Sequence, residues 1–297
     1  MSSSRIKQAA GDTVVDVVFY TIMGLLAILC AYPIWYVLVA SISDSNYVYS
    51  GALIVWPKGI QFEGYKYILN DRSVWMGYLN TLIYTGCGTL FGLAVTLPAG
   101  YALSRKDLPG RSVIMIYLVF TMYFGGGLIP TYLLVKSLHL LNTRWILIIF
   151  GSVSVYNVIL VRTFFNTNIP EELREATLVD GCGNTRFFFQ FALPLSKAII
   201  AVIGMYLAVG HWNSYFNALI YITNRDYQPL QLYLRELLFT NLDVDTGLDA
   251  EMLQKQSQII AVIKYAVIVV STIPILCIYP FLQKYFVQGV MIGSLKG

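Results

Sequence analysis

The stretch Asn168–Pro194 holds the side chains of this chain that are best placed for chemistry at a surface. It is a polar, charged insert between two long apolar runs. Pro170 suits the first position of a helix, and the two glutamates that follow it favour the positive end of the helix dipole. We therefore expect a short helix over 170–180, ended by Gly181. A compact helix held at a membrane surface by two spans is suited to contact a partner there.

The second half of the stretch is rich in phenylalanine, with rings at Phe187, Phe188, Phe189 and Phe191. These rings can anchor a second short helix under the bilayer, while the first helix faces a partner. The competing interpretation is that the whole stretch is an amphipathic connector at the interface, with no partner.

No catalytic centre is indicated anywhere in the chain. There is no phosphate-binding G-x-x-x-x-G-K-[ST] motif, and the nearest approach, Gly59 to Gly64, lacks the lysine and hydroxyl. The histidines, His139 and His211, have no metal-ligand spacing. We predict that the protein is not an enzyme and binds no cofactor itself. If its work requires ATP, hydrolysis must occur on another polypeptide.

The elements that position this stretch are membrane-length apolar runs. The chain has 297 residues, of which 57% are hydrophobic and 12% charged, against about 25% charged in ordinary soluble domains. We predict an all-α polytopic membrane protein with six transmembrane helices. The first span is peripheral and lies at about 17–43, and the core spans lie at about 74–104, 112–136, 145–165, 196–223 and 258–283.

The third predicted span contains three consecutive glycines, Gly125 to Gly127, shortly before Pro130. They should weaken or kink this span, and interrupted helices often mark transport sites. The alternative is close helix packing, because glycine lets two backbones approach.

Loop charges set the expected orientation. The short loop Arg105–Arg111 holds three of the basic residues and gives the clearest positive-inside signal. We therefore predict that both termini and the loop 168–194 lie in the cytoplasm. Residues 1–297 are expected to form a single transmembrane domain in contact with lipid. The net charge of +4 includes no basic run that would indicate nucleic-acid binding.

The order Glu175-Ala176-Thr177-x-x-Asp180-Gly181, closing on Leu193-Pro194, resembles the "EAA" coupling loop of ABC-importer permeases, in the carbohydrate (maltose-type) branch. The resemblance extends over nearly the whole chain. It includes Asn80–Leu82, Pro98–Arg105, Trp212–Asn217 and the tail Tyr285–Gly297. The stretch Tyr123–Tyr132 is similar to the subgroup that takes up oligo- and polysaccharides.

This resemblance implies a mechanism and a set of partners. The loop helix would dock on an ATP-binding subunit through Glu175, Ala176, Thr177, Asp180 and Gly181. The complex would contain a second homologous permease, two ATP-binding subunits that hold ATP and Mg, and an extracytoplasmic sugar-binding protein. It would lie in the bacterial cytoplasmic (inner) membrane and import a saccharide by alternating access. The chain departs from the usual pattern at Thr177 and Cys182, which are both small.

Aromatic rings beside amides give a second, weaker indication of a sugar substrate. Sugar faces stack on rings while hydroxyls bind polar side chains. The expected substrate path comprises Tyr156, Asn157, Trp212, Asn213, Tyr215 and Asn217. Interhelical hydrogen bonding or an interfacial aromatic belt is the alternative for each residue.

Two other classes of function are weighed against the importer. A proton- or sodium-coupled secondary carrier would need an acidic residue inside a span, and the predicted spans contain none. A membrane assembly protein without transport is the second alternative. The sequence does not specify the sugar.

Overall fold

The computed structural model describes residues 10–53, 55–239 and 258–277, and these residues contain helices and no β-strand. The predicted all-α class is therefore confirmed for the described part of the chain. The helices are α1 (Ala10–Ser41), α2 (Ser45–Tyr49), α3 (Glu63–Asn70), α4 (Arg72–Ser104), α5 (Arg111–Tyr123), α6 (Leu128–Ser137), α7 (Arg144–Ile149), α8 (Val155–Asn168), α9 (Glu171–Val179), α10 (Asn184–Phe187), α11 (Leu193–Leu195), α12 (Lys197–Trp212), α13 (Phe216–Tyr221), α14 (Leu230–Phe239) and α15 (Gln258–Cys277), with a π-helical turn at Phe188–Ala192 and a 3₁₀ turn at Arg225–Tyr227.

Three helices of the described residues are long and apolar enough to cross a membrane, at Val15–Ser41, Arg72–Ser104 and Gln258–Cys277. They match the first, second and last predicted spans, although residues 278–283 of the last lie outside the described residues. Two bent helix pairs would raise the number to five if each were one span. Six spans, with both termini in the cytoplasm, therefore stay a prediction.

The breaks in the helices explain the lower count. The third predicted span consists of α5 and α6, bent by 111° at the predicted glycine run, where Gly127 has a φ of +84°. The prediction of a kink is confirmed. The fourth predicted span is divided between α7 and α8, and the fifth predicted span between α12 and α13. Composition alone did not predict these last two breaks.

The described residues fold as two compact units, one with residues 10–53, 55–70 and 258–270 and the other with residues 71–239 and 271–277. In the first unit, α1 packs on α15, where the rings of Tyr36 and Tyr265 meet edge to face at 5.8 Å. The hydroxyls of Ser41 and Tyr65 lie 2.8 Å apart. The prediction of one domain over 1–297 remains a prediction.

The second unit is built around α4, which packs closely on α8 and α12. A Cβ at Gly100 would lie 2.4 Å from Val161 of α8, and one at Gly92 would lie 2.6 Å from Leu207 of α12. These distances are shorter than van der Waals contact, so only glycine permits the observed approach. The tight packing supplies dispersion contacts between the helices. In a lipid environment, where exclusion of water gives no driving force, such contacts hold helices together.

The segment between α7 and α8 packs against the same helix, α4, at Gly92. Its Gly151 has a φ of +85°. The Ser152 carbonyl would lie 2.4 Å from a Cβ at Gly92, and the Ser152 hydroxyl lies 3.0 Å from Nε2 of His211 on α12. The Ser152 hydroxyl of this irregular segment thus finds a partner inside the protein, and the Ser152 N–H donates to the Ile149 carbonyl at 3.2 Å.

We expect Gly92→Ala to destabilise the protein, because its new methyl group would meet the Ser152 backbone, which cannot rotate away. Overpacking of this kind costs about 1–3 kcal/mol. Gly86→Ala is the matched control, since nothing lies within 4 Å of a Cβ there on the same helix. Thermal unfolding in detergent should show a lower Tm for Gly92→Ala only. Equal Tm values for the two variants would contradict the close packing.

Candidate functional site: the loop between α8 and α12

The helix α9 has one face packed on the protein and one face exposed. Arg174 and Thr177 are buried on the inner face. The residues at positions 172, 175, 176 and 179 are exposed and share one side of a helix by their spacing. They are Glu172, Glu175, Ala176 and Val179, of which the valine is 89% exposed. We call these four residues the outer face of α9. It combines two carboxylates with a small and an apolar side chain.

A hydrogen-bonded glycine turn ends α9 where the sequence predicts. Gly181 has a φ of +75°. Its N–H donates to the Leu178 carbonyl at 3.0 Å, and the Cys182 N–H donates to the Thr177 carbonyl at 2.9 Å. This pair of bonds is the Schellman pattern, which satisfies the last carbonyls of a helix. The start differs slightly from expectation, because Pro170 lies just before the helix as its N-cap.

The second half of the loop is anchored by aromatic packing. Phe187 and Phe188 are buried, and their rings lie 6.4 and 5.0 Å from the ring of Tyr101 on α4. Phe165 of α8 completes the cluster at 5.4 Å from Tyr101. The predicted second helix is present, as α10 and the π-helical turn. The loop therefore rests on the ends of α4 and α8.

Four charged side chains join α9 to the segment that follows α4. Arg174 donates from Nη1 to Glu171 at 2.9 Å and from Nη2 to Asp107. Arg105 reaches the other oxygen of Glu171 at 3.5 Å and lies over the Tyr101 ring. We call these four residues the charge cluster. Burial lowers the pKa of Arg174, but the bonds to Glu171 and Asp107 raise it more, so the guanidinium remains charged.

The residues predicted to contact an ATPase subunit do not all lie on one surface. Glu175 and Ala176 belong to the outer face, and Asp180 is exposed at its end. Thr177 is 8% exposed, and its hydroxyl donates to the Arg174 carbonyl at 2.8 Å. Its place is inside the protein. The sequence interpretation missed Val179, whose helical spacing from Glu175 and Ala176 was the available signal.

The six residues predicted to line a substrate path differ in exposure. Asn157 and Trp212 are buried, and the Trp212 ring lies 6.4 Å from Tyr78 of α4. Tyr156, Asn213 and Tyr215 are exposed, and Asn217 is half-buried. Four of the six lie at the break between α12 and α13, where Arg235 of α14 approaches the Tyr215 ring to 5.9 Å. This break combines rings with polar groups.

A second polar site lies at the opposite end of α4, and the sequence interpretation did not find it. Asn80 donates to the carbonyls of Asp226 and Gln228 at 2.8 and 3.0 Å, and Tyr84 donates to that of Tyr227 at 2.7 Å. These bonds fix the segment before α14. Beside it lies a cavity of about 320 Å³. Its lining includes Arg72, Ser73, Met76, Arg225, Asp226, Gln228, Tyr233 and Glu236.

Neither site has the composition of a metal centre. Within the described ranges, no group of three or more His, Cys, Asp or Glu side chains could hold a metal ion.

Comparison with known proteins places this geometry in a family. No family model matches the chain. The polygalacturonan/rhamnogalacturonan transport system permease protein YtcP of Bacillus subtilis (strain 168) is 37% identical over 285 residues, which are 95% of this chain and 98% of that protein. The melibiose/raffinose/stachyose import permease protein MelC of the same organism is 26% identical, with 93% of this chain and 96% of that protein covered.

A solved structure agrees with these relatives. One chain in the crystal structure of a bacterial ABC transporter involved in the import of the acidic polysaccharide alginate matches with a TM-score of 0.85 and 31% identity. The match covers 95% of this chain and 99% of that chain. The matched relatives are transport permeases rather than enzymes. The chain accordingly belongs to the permease subunits of carbohydrate ABC importers, a family of membrane proteins.

Proposed function

We propose that the chain is a permease subunit that moves an oligo- or polysaccharide inward by alternating access, driven through α9 by an ATPase subunit. The observation that carries this proposal is the outer face of α9. An 89% exposed valine beside exposed carboxylates stands on a loop whose other half is buried against α4 and α8. A surface of this kind suits a docking helix, because its position is fixed while its contact groups remain free.

The energy would come from outside the chain. Two ATP-binding subunits would hold ATP and Mg, and closure of these subunits would displace α9. A second, homologous permease would complete the pathway, and an extracytoplasmic binding protein would deliver the sugar. The assembly would lie in the bacterial cytoplasmic membrane, with six spans in this chain, both termini inside and the α9 loop facing the ATPase. Membership of the ABC permease family disfavours the secondary carrier and the assembly protein.

The substrate class is supported by the relatives and by the chemistry of the chain. The named relatives are permeases for polygalacturonan/rhamnogalacturonan transport and for melibiose/raffinose/stachyose import, and the solved relative belongs to a transporter involved in the import of alginate. In this chain, Tyr156, Asn213 and Tyr215 offer exposed rings and an amide for sugar faces and hydroxyls. We assign Asn157, Trp212 and Asn217 a supporting place behind them, because they are buried or half-buried.

Uptake by the complete transporter in vesicles tests this function directly. The permease pair, the ATPase subunits and the binding protein would be reconstituted together and supplied with a labelled oligogalacturonide. ATP-dependent accumulation is the expected result. Uptake that follows an ion gradient and needs no ATP would contradict the proposal.

We expect Val179→Asp to release the ATPase subunit. The new carboxylate would be pressed against an apolar contact and lose its hydration, which is costly without a partner. An affinity loss of tenfold or more, equivalent to about 1.4 kcal/mol, should follow. Co-purification of the ATPase subunits from detergent measures it. Thr185→Asp adds the same charge to an exposed position of the same loop and serves as the control.

Undiminished co-purification with Val179→Asp would remove the outer face of α9 from the docking surface. Loss with both variants would indicate a general effect of charge on the loop, and would also count against a specific face.

We expect Gly181→Val to uncouple ATP hydrolysis from uptake. A side chain in the left-handed region costs about 1–2 kcal/mol, and a β-branched one is especially strained. The turn should open, so the angle between α9 and α10 would no longer be fixed. Gly183→Val is the matched control, because Gly183 has a φ of −69° and free space around its Cβ position. The measurement is sugar transported per ATP hydrolysed, and equal ratios for both variants would contradict this role of Gly181.

A further inference from the structure

The charge cluster joins two parts of the chain that are far apart in sequence. Arg174 and Asp107 are 67 residues apart and are hydrogen-bonded to each other. Arg174 lies on the inner face of α9, next to Glu175 of its outer face. Asp107 lies in the short segment between α4 and α5. The cluster therefore connects the proposed docking helix to the end of α4 through side chains alone.

The cationic members of the cluster are held almost entirely by its carboxylates. The side chains of Arg105 and Arg174 are 7% and 11% exposed. Nε of each arginine and Nη1 of Arg105 are buried and form no hydrogen bond in this structure. A buried guanidinium that loses its carboxylate has little water to replace it. The cluster consequently favours one arrangement of α9 against the end of α4.

The backbone joins α8 and α12 to the loop but does not join α4 to it, so α4 is the helix that needs a side-chain link to α9. The segment 169–170 joins α9 directly to α8, and the segment 180–196 joins it to α12. A displacement of α9 would pull these two helices through the backbone. The helix α4 has no such connection to the loop, although it is the centre around which α8 and α12 pack. Only side-chain contacts can move its loop end together with α9.

In the part of the chain that the structure describes, three sets of contacts could serve this purpose, and they differ in how strongly they depend on direction. The rings of Tyr101, Phe187 and Phe188 pack through apolar surface, and this attraction is less directional than a charged hydrogen bond. Arg162 of α8 donates to the Leu103 carbonyl at 3.1 Å and holds α8 rather than α9. Arg174 bonds Glu171 and Asp107 with separate nitrogens, and such a forked geometry is directional in a way that apolar packing is not.

We propose that Arg174 is a positioning residue that transmits displacement of α9 to α4. It does so through its hydrogen bonds to Asp107 and Glu171, with Arg105 paired to Glu171. The inference rests on the proposed docking of α9 on an ATPase subunit. Without the bond to Asp107, the ATPase would still bind and move α9, but α4 would follow incompletely. The coupling between hydrolysis and transport would weaken while hydrolysis continued.

The test is Asp107→Asn in the complete reconstituted transporter. Its side chain is 48% exposed, and asparagine keeps its shape, so folding should be preserved. We expect the ATPase rate per assembled complex to stay within about twofold. Sugar transported per ATP should fall about fivefold or more, the scale of ordinary coupling energies. Asp107→Glu should retain much of the ratio, because it keeps the charge.

The neighbouring exposed residue provides a matched control. Lys106→Gln removes one charge from the same short segment, outside the charge cluster, and should leave the ratio unchanged. Arg174→Lys gives a graded comparison, since an ammonium keeps the charge but lacks the fork that reaches both carboxylates. Its ratio should lie between those of the unaltered protein and Asp107→Asn.

An unchanged ratio with Asp107→Asn would overturn the inference and leave the apolar contacts as the link to α4. A reduced yield of assembled complex with an unchanged ratio would assign the cluster to stability alone, and would equally overturn it. Either result is separable from failure of the proposed function. If the proposed docking itself were wrong, Val179→Asp would leave ATPase binding undiminished. If docking were right and only the role of the cluster were wrong, Val179→Asp would still weaken ATPase binding tenfold or more, while Asp107→Asn left the ratio unchanged.

Discussion

The second unit depends on the close approach of α4 to α8 and α12. Along α4, small side chains recur every fourth position at Gly88, Gly92, Thr96 and Gly100. Every fourth residue lies on nearly the same side of a helix, so these positions form a groove without large side chains. The partners of the groove are Val161, Leu207, His211 and the Ser152 backbone. Apolar solvent gives no hydrophobic reason for helices to associate, and shape-matched contact must supply it.

The consequences of this groove extend to the loop. One residue beyond Gly100, Tyr101 receives the aromatic rings that anchor α10, and Arg105 follows one turn later. Both are therefore placed by the same contact that fixes the helix. A shift of α4 by one turn would separate them from the loop by about 5 Å. Packing inside the spans thus decides whether the loop has a surface to rest on.

Much of this arrangement follows from local sequence, and the features that the sequence did not predict were missed for physical reasons. Apolar length predicted α1, α4 and α15, and glycine chemistry predicted the end of α9 and the break after α5. The break at Ser152 was not predicted, because its neighbours are as apolar as a continuous span. Gly151 was the only local sign of it. The charge cluster was also missed, since pairing across 67 residues requires knowledge of the fold.

Exposure on α9 shows a related limit of sequence interpretation. The sequence interpretation placed Thr177 among the contacts to a partner, and so at the surface, and did not include Val179. The structure has the reverse, with Thr177 buried and Val179 exposed. The buried hydroxyl can satisfy itself on the helix carbonyl at Arg174, so its polarity costs little inside. The exposed valine has no such internal compensation, and it supports the proposal that a partner docks on α9.

The two halves of the loop therefore rest on α4 by different kinds of contact: ring packing for α10 and charged hydrogen bonds for α9. Ring packing around Tyr101 is less directional than a charged hydrogen bond, so it holds α10 in place but would tolerate small rotations. The bonds of Arg174 are directional, so they fix the rotation of α9 about its own axis. That rotation decides which residues form the outer face. If α9 turned by a single residue, about 100°, Val179 would leave this surface. The charge cluster thus sets the direction in which the residues of the outer face point, as well as tying α9 to α4.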